Sequence, residues 1–185
     1  MKITAIRHGE TDWNAAGKIQ GKTDIPLNDN GREQAHKTAQ LLERHDIDVI
    51  VSSPLKRAVE TAETIADFLS INNEIITDSR LSERDFGDYE GLLIQEVDCL
   101  ALRRWTDNIP APNGETIRDV AVRVFECLGD VLEEHKGYNV LIVGHGHVLR
   151  TILWYFNGVP DCNEKECDFL VGNCEIFEFE KIMRE

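Results

Sequence analysis

Arg7-His8-Gly9-Glu10-Thr11 closes an opening stretch, Lys2–Ile6, in which polar and apolar residues alternate as in a short strand. An arginine and a histidine side by side where a strand must stop present their side chains at the edge of a sheet. In open α/β folds that edge is where ligands bind. The two residue types suit phosphoryl chemistry. A neutral imidazole can attack phosphorus and hold the transferred group, and a guanidinium forks onto phosphate oxygens in a bidentate way. Gly9 has no side chain, so its carbonyl can approach the His8 ring and fix the tautomer.

Three further segments repeat this plan. Ser52-Ser53-Pro54-Leu55-Lys56-Arg57-Ala58 follows the apolar run Asp48–Val51. Leu81-Ser82-Glu83-Arg84-Asp85-Phe86-Gly87 follows a weaker run near Ile75-Ile76, and Val143-Gly144-His145-Gly146 closes the strongest run, Val140–Val143. Arg57 falls in the first turn of a helix, whereas an arginine that serves a helix dipole prefers the last turn. In the first turn it shares an anion with the helix amides. Gly146 lets a backbone N–H approach a phosphate oxygen closely.

The elements that must hold these groups are legible in outline. Asn28 caps a helix that runs to about His45, with Ala35, Ala39, Leu41 and Leu42 on its apolar face. Pro54 starts a helix suited to positions 55–69, with Ala58, Ala62, Ile65 and Leu69 at helical spacing. A weak strand is expected at Glu74–Thr77, a helix at Leu93–Trp105 and a loop at Asn108–Gly114. Thr116 to Glu134 carries Val120, Val124, Leu128, Val131 and Leu132 on one face. Asn139–Val143 reads as a buried strand, Val148–Phe156 as a helix and Glu175–Glu180 as a last strand. Strands alternating with helices predict an α/β fold of three layers, α/β/α, around a mostly parallel central sheet. With no repeat, low-complexity tract or linker, residues 1–185 are expected to form a single domain.

Bulk properties narrow the class. The chain is 42% hydrophobic, an ordinary globular composition, and no apolar stretch approaches the roughly 18–20 residues that span a bilayer. The opening residues are too short for a signal core and Arg7 interrupts them, so a cytoplasmic location is expected, without membrane contact. The net charge of −14 argues against nucleic acid, which demands a broad positive surface. It leaves room for a small phosphorylated metabolite in a locally positive pocket. Five cysteines, Cys99, Cys127, Cys162, Cys167 and Cys174, lack the close pairs of zinc sites and are expected to be thiols. No cofactor motif and no metal-ligand pattern occur: Gly144-His145-Gly146 lacks the third glycine of a dinucleotide loop, and no P-loop is present. No motif speaks to oligomeric state.

Taken in order, these motifs resemble the histidine phosphatase superfamily, in its phosphoglycerate-mutase-like branch. The resemblance runs from Lys2 to about Phe179. It covers the opening motif through Trp13-Asn14, Pro26-Leu27-Asn28 with Gly31 and Gln34-Ala35, and Ser53-Pro54 with Arg57-Ala58 and Thr61-Ala62. It continues through Gly87, Glu90-Gly91 and Gly114-Glu115-Thr116 to His145-Gly146 with Leu149-Arg150. The resemblance implies a phosphoglycerate-mutase-like fold and a metal-independent reaction in which His8 becomes phosphorylated. It implies Arg7 and Arg57 as the phosphate clamp and His145 as a second imidazole beside the phosphate. Asn14 is implied as an amide donor to the phosphate, and Gln20-Gly21 as a loop at the pocket mouth.

The resemblance also implies Glu83 as proton donor. Chemistry demands such a group, since a leaving alkoxide needs a proton and water then needs a base. Its pKa is expected to be raised by burial so that it is protonated near neutrality. Asp85 is the nearest rival carboxylate, while Glu10, Glu90 and Glu115 are expected to support loops. His147 stands where the family often has glycine and is assigned no role. Lys18, Lys22, Arg103 and Arg104 are surplus cations, most of them expected to be solvated.

Two enzyme readings share this set of groups. A phosphatase lets water attack the phosphohistidine; a mutase returns the phosphoryl group to another hydroxyl. The stretch between Glu83 and His145 lacks the long insertion of the full-length mutases, and Tyr89-Glu90-Gly91-Leu92-Leu93 holds no counterpart of the mutase lysine. Arg103-Arg104 keeps the mutase reading open. A non-catalytic phosphate-binding scaffold is the third reading, and such members usually lose a catalytic group. The size resembles small bacterial phosphatases, and a phosphatase is the expected activity.

Overall fold

A computed structural model describes residues 1–159 and 171–180. Its centre is a five-stranded sheet. The strands are β1 (Lys2–Arg7), β2 (Val49–Ser52), β3 (Ile76–Thr77), β4 (Val140–Gly144) and β5 (Ile176–Glu180), in the spatial order β3-β2-β4-β1-β5. β2 pairs in parallel with β3 and β4, β4 with β1 in parallel, and β5 runs antiparallel along the edge. The fold is thus the mixed, mostly parallel α/β sheet flanked by helices that was expected.

Side-chain alternation divides the core in two. Ile6, Ile50, Leu141 and Val143 meet Ala39, Leu42, Ala58, Ala62 and Ile65 of α2 (Asp29–Leu42) and α3 (Lys56–Leu69) on one face. Ile3, Ala5, Val51, Val140 and Ile142 meet α5 (Ile117–Glu134) and α6 (Gly146–Asn157) on the other. β4 lies between both layers, and all five of its residues are buried, which is why it reads as an unbroken apolar run.

Local signals hold at several helix ends. The Asn28 side chain accepts from the Gly31 amide to start α2, and Thr116 with Asp119 forms a capping box at α5. α2 stops at Leu42 rather than His45, and β3 has two residues where four were expected. α1 (Asp12–Ala15), a single turn capped by Thr11 and Asn14, was not anticipated.

The helix expected over Leu93–Trp105 is the main correction. Only a 3₁₀ turn at Ile94–Glu96 and a short α4 (Cys99–Arg103) form there. The backbone of this region is used elsewhere. The Gly91 amide donates to Ile19 O, the Ile19 amide to Leu92 O, and the Ile94 amide to Gly17 O. Val97 is extended, and the Asp98 side chain caps a fresh helix by accepting from the Ala101 amide. The expected helix is thus broken at extended Val97 and restarted by the Asp98 cap, while residues just before it are tied to the 17–19 loop. Among the described residues no helix is long and apolar enough to cross a membrane. Cys162 and Cys167 lie outside the described residues.

Candidate active site

Three neighbouring parallel strands end together. Arg7 ends β1, Ser52 ends β2 and Gly144 ends β4, with the His8 amide donating to Gly144 O at 3.0 Å and the Ser53 amide to Val143 O at 3.0 Å. This carboxyl edge carries a cavity of about 160 Å³. Arg7, His8, Asn14, Gln20, Gly21, Arg57, Glu83 and Gly146 all line it. His145 faces His8 across the edge, with ring centroids 5.1 Å apart.

His8 is buried, and its Nδ1 lies 2.6 Å from Gly9 O. A carbonyl only accepts, so the ring proton sits on Nδ1 and Nε2 keeps its lone pair. Burial lowers the His8 pKa well below its ordinary value, helped by His145, Arg7 and Arg57, so the ring is neutral at pH 7. Gly9 is required sterically as well: a Cβ there would run into the carbonyl of Gly31 at the start of α2. The Gly9 amide donates to Thr61 Oγ1 at 3.1 Å, which anchors that peptide to α3.

Arg57, fully buried, sits in the first turn of α3 as expected. Its Nη1 and Nη2 donate to Thr23 O and Gly21 O at 2.8 and 2.7 Å. Burial lowers its pKa to about 10, so it remains a cation. Its Nε, the Nε of Arg7 and the Nδ1 of His145 are all buried without a partner. Buried N–H donors left unpaired cost about 1–3 kcal/mol each, so three of them around one cavity call for an acceptor. An oxyanion fits that demand. His145 Nε2 lies 2.8 Å from Ser53 Oγ. With that hydroxyl donating, the ring proton of His145 falls on the unpaired Nδ1.

Asn14 and Gln20 turn their oxygens inward. Asn14 Oδ1 accepts from the Thr11 amide at 3.2 Å, and Gln20 Oε1 accepts from Thr11 Oγ1 at 2.9 Å. Their NH₂ groups are then the ones to face a ligand. Gly21 adopts φ +55, and a Cβ there would collide with the Glu90 carboxylate. Glu90 ties this loop down by accepting from the Lys22 and Thr23 amides at 2.8 and 2.9 Å. Glu115 pairs with Arg123 at 3.0 Å, and Glu10 accepts from Asn28 at 3.0 Å. All three carboxylates hold structure, as anticipated.

Glu83 reaches the cavity from a loop with little regular structure, and two arginines fasten that loop. Arg84 is fully buried and donates to Glu115 O, Leu102 O and Ile109 O. Arg123 of α5 donates to Arg80 O, Ser82 O and Glu83 O. The Glu83 carboxylate accepts from the Arg84 amide at 2.8 Å and from the His147 amide at 3.2 Å. The expected upward pKa shift is not found. Burial pushes the carboxyl up, but His147, His145 and the Arg84 amide outweigh it and hold it well below its ordinary value. Asp85 is not in the cavity lining; it accepts from the Gly87 amide at 2.8 Å and lies 3.7 Å from Lys22.

The remaining cations divide. Lys18 lines the cavity and lies over Trp13, Lys22 reaches Asp85 and Glu115, and Arg104 pairs with Asp107. The side chain of Arg103 lies outside the described residues. Among the described residues no three His, Cys, Asp or Glu side chains converge on a metal position. The site also uses residues to which the sequence attached no role: Thr61, Ser53, Arg84, Arg123 and His147. Ser53 and Thr61 stand inside motifs, but only the sheet order shows what their hydroxyls touch.

Likeness to other proteins agrees with this geometry. The chain matches the histidine phosphatase superfamily (branch 1) over residues 3–181. It is 41% identical over 156 residues to the uncharacterized phosphatase PhoE of Bacillus subtilis, covering 84% of this chain and 77% of that one. It is 39% identical over 160 residues to phosphoglycerate mutase-like protein 4 of Arabidopsis thaliana, covering 82% and 69%. The structure of a mycobacterial glucosyl-3-phosphoglycerate phosphatase complexed with VO3 superposes with a TM-score of 0.85 at 29% identity, covering 96% of this chain and 91% of that one. Motifs, strand order and likeness together place the chain in the histidine phosphatase superfamily, to which it belongs.

Proposed function

We propose that this protein is a metal-independent phosphomonoesterase of the cytoplasm that hydrolyses a small phosphorylated metabolite through a phosphohistidine on His8. Arg7, His8, Arg57, Glu83 and His145 are its catalytic residues, and Asn14, Gln20, Gly21 and Gly146 complete the phosphate pocket. One observation carries the reading. The His8 ring is neutral, with its proton committed to Gly9 O, and it stands among three buried donors that lack an acceptor.

His8 Nε2 forms a bond to phosphorus while the ester P–O bond breaks, and the electron pair leaves on the alcohol oxygen. That oxygen takes a proton from Glu83. Charge spreading over the equatorial phosphate oxygens is met by Arg7, Arg57 and His145, fixed cations and donors that need no reorganisation. Glu83, now a carboxylate, takes a proton from water, whose oxygen attacks phosphorus and returns the P–N pair to His8. In the free site Glu83 is ionised. A bound phosphate dianion adds negative charge beside it and raises its pKa, so the site takes up the required proton with the substrate.

A cavity of about 160 Å³ suits a small ester, and the net charge of −14 disfavours nucleic acid. The likeness to a glucosyl-3-phosphoglycerate phosphatase favours phosphorylated metabolites as the substrate class. The name of the Arabidopsis relative favours the mutase as a second reading, since water and a second hydroxyl would use the same groups.

Brief mixing with a panel of phosphorylated metabolites in EDTA, followed by an alkaline quench, is expected to trap an acid-labile, base-stable phosphoenzyme on His8. Phosphate release is expected to exceed transfer to 2- or 3-phosphoglycerate. Normal turnover by His8→Ala overturns the reading, and loss of activity in EDTA restored by zinc or magnesium overturns its metal independence.

A further inference from the structure

His147 is the second residue of α6, and its ring occupies the cavity wall beside Glu83. Its Nδ1 lies 3.7 Å from Glu83 Oε1, and its ring stands edge-on to Phe86 with centroids 5.2 Å apart. Two backbone amides already favour the same oxygen. The Arg84 amide donates to Oε1 at 2.8 Å, and the His147 amide reaches Oε1 at 3.2 Å and Oε2 at the longer 3.4 Å. Oε2 is the oxygen beside Gly146, on the cavity lining, where an added Cβ would stand 3.6 Å away.

We infer that the His147 side chain is a positioning residue that holds Glu83 Oε1 and leaves Oε2 as the atom that carries the transferred proton. The inference rests on the phosphatase reading above. Burial lowers the His147 pKa to about 4, against the pull of Glu83 and with Arg150 and Arg84 also facing the ring, so the imidazole is neutral at pH 7. A neutral ring has one proton. Nε2 is buried with no partner, whereas Nδ1 faces a carboxylate oxygen. The proton therefore belongs on Nδ1, where an acceptor exists. A separation of 3.7 Å is long for a hydrogen bond, and such contacts tighten when the substrate is bound. Once that contact closes, Oε1 gains a third donor beside the two amides, so rotation of the carboxyl is restricted and the protonated oxygen is directed at the leaving group.

The test separates side chain from backbone, because every His147 variant keeps the amide that Glu83 accepts from. His147→Phe retains a ring against Phe86 but has no donor. It is expected to lower kcat for an alkyl phosphate by about 10–10²-fold, the scale of a misplaced catalytic group. The loss is expected to shrink to a few-fold for p-nitrophenyl phosphate, whose phenolate leaves without a proton, with KM little changed for both. Asn places an amide nitrogen at the position of Nδ1, and Gln at that of Nε2. His147→Asn is therefore expected to recover most of the alkyl phosphate activity and His147→Gln little of it. Equal losses on both substrates, or Gln recovering as well as Asn, overturn the inference. If His147→Phe does not fold, the Asn-against-Gln comparison decides alone. The alkaline-quench trap on the unaltered protein distinguishes the two failures: a phosphohistidine on His8 with no leaving-group split in the variants sinks the role of His147 alone. No phosphohistidine sinks the parent reading and this inference with it.

Discussion

Thr61 was no more than a motif residue in the sequence, yet it stands behind the proposed nucleophile. Its hydroxyl accepts from the Gly9 amide at 3.1 Å and donates to Arg57 O at 2.7 Å, and Gly9 O in turn holds His8 Nδ1 at 2.6 Å. Thr61→Val keeps the shape of the side chain, which is fully buried, and removes only the hydroxyl. The Gly9 N–H is then buried without an acceptor, while Arg57 O remains within the helical backbone ladder. One orphaned donor costs about 1–3 kcal/mol. For a chain of this size about 2–4 °C of Tm is lost per kcal/mol, so Tm should fall by roughly 2–12 °C. Released from α3, the Gly9 peptide no longer fixes the His8 ring, and a shift of about 1 Å at a nucleophile costs about 10²-fold. The expected result is kcat lowered by roughly 10–10²-fold with KM little changed, measured well below the variant's Tm. Thr61→Ser, which retains the hydroxyl, should restore kcat. A Val variant that turns over normally, or a Ser variant as impaired as Val, refutes the chain of contacts from α3 to His8.

Two further outcomes follow from the charges in the site. Glu83→Gln should cost roughly 10²–10⁴ in rate on an alkyl phosphate and far less on p-nitrophenyl phosphate, while Asp85→Asn should show no such split; the reverse pattern would make Asp85 the acid. His8, His145 and His147 all have folded pKa values below the ordinary 6.5, so the unfolded chain binds more protons as pH falls below that value. Glu83, also held down, works in the same direction below its ordinary 4.5. Stability from the three histidines is therefore complete above about pH 6.5 and falls below it, at most by about 4 kcal/mol per pH unit. Urea midpoints that stay level from pH 7.5 to 5 would contradict this.

Much of the molecule follows from nearest neighbours along the chain. The Asn28 cap and the Thr116–Asp119 box use side chains to satisfy amides three residues on, so α2 and α5 begin where the sequence says they do. Buried on both faces, β4 could only read as an apolar run. Arg7-His8 and His145 were legible because they close or directly follow a strand, and Arg57 because it opens the helix after one; chain order alone puts such residues at the carboxyl edge of a parallel sheet.

What needed the tertiary structure is everything set by contacts between distant residues. The order β2-β4-β1 is what brings Ser53 to His145 and His145 to His8. The expected Leu93–Trp105 helix is interrupted at extended Val97, and its first residues are held against the 17–19 loop, a long-range contact that no local propensity records. Glu83 was found by resemblance, but its charge was misjudged. Burial by itself raises a carboxyl, and only the folded chain adds the His147 ring, the His145 ring and the Arg84 amide that reverse the sign. The types of the reacting groups were written in the sequence, whereas their protonation is a property of their neighbours in space.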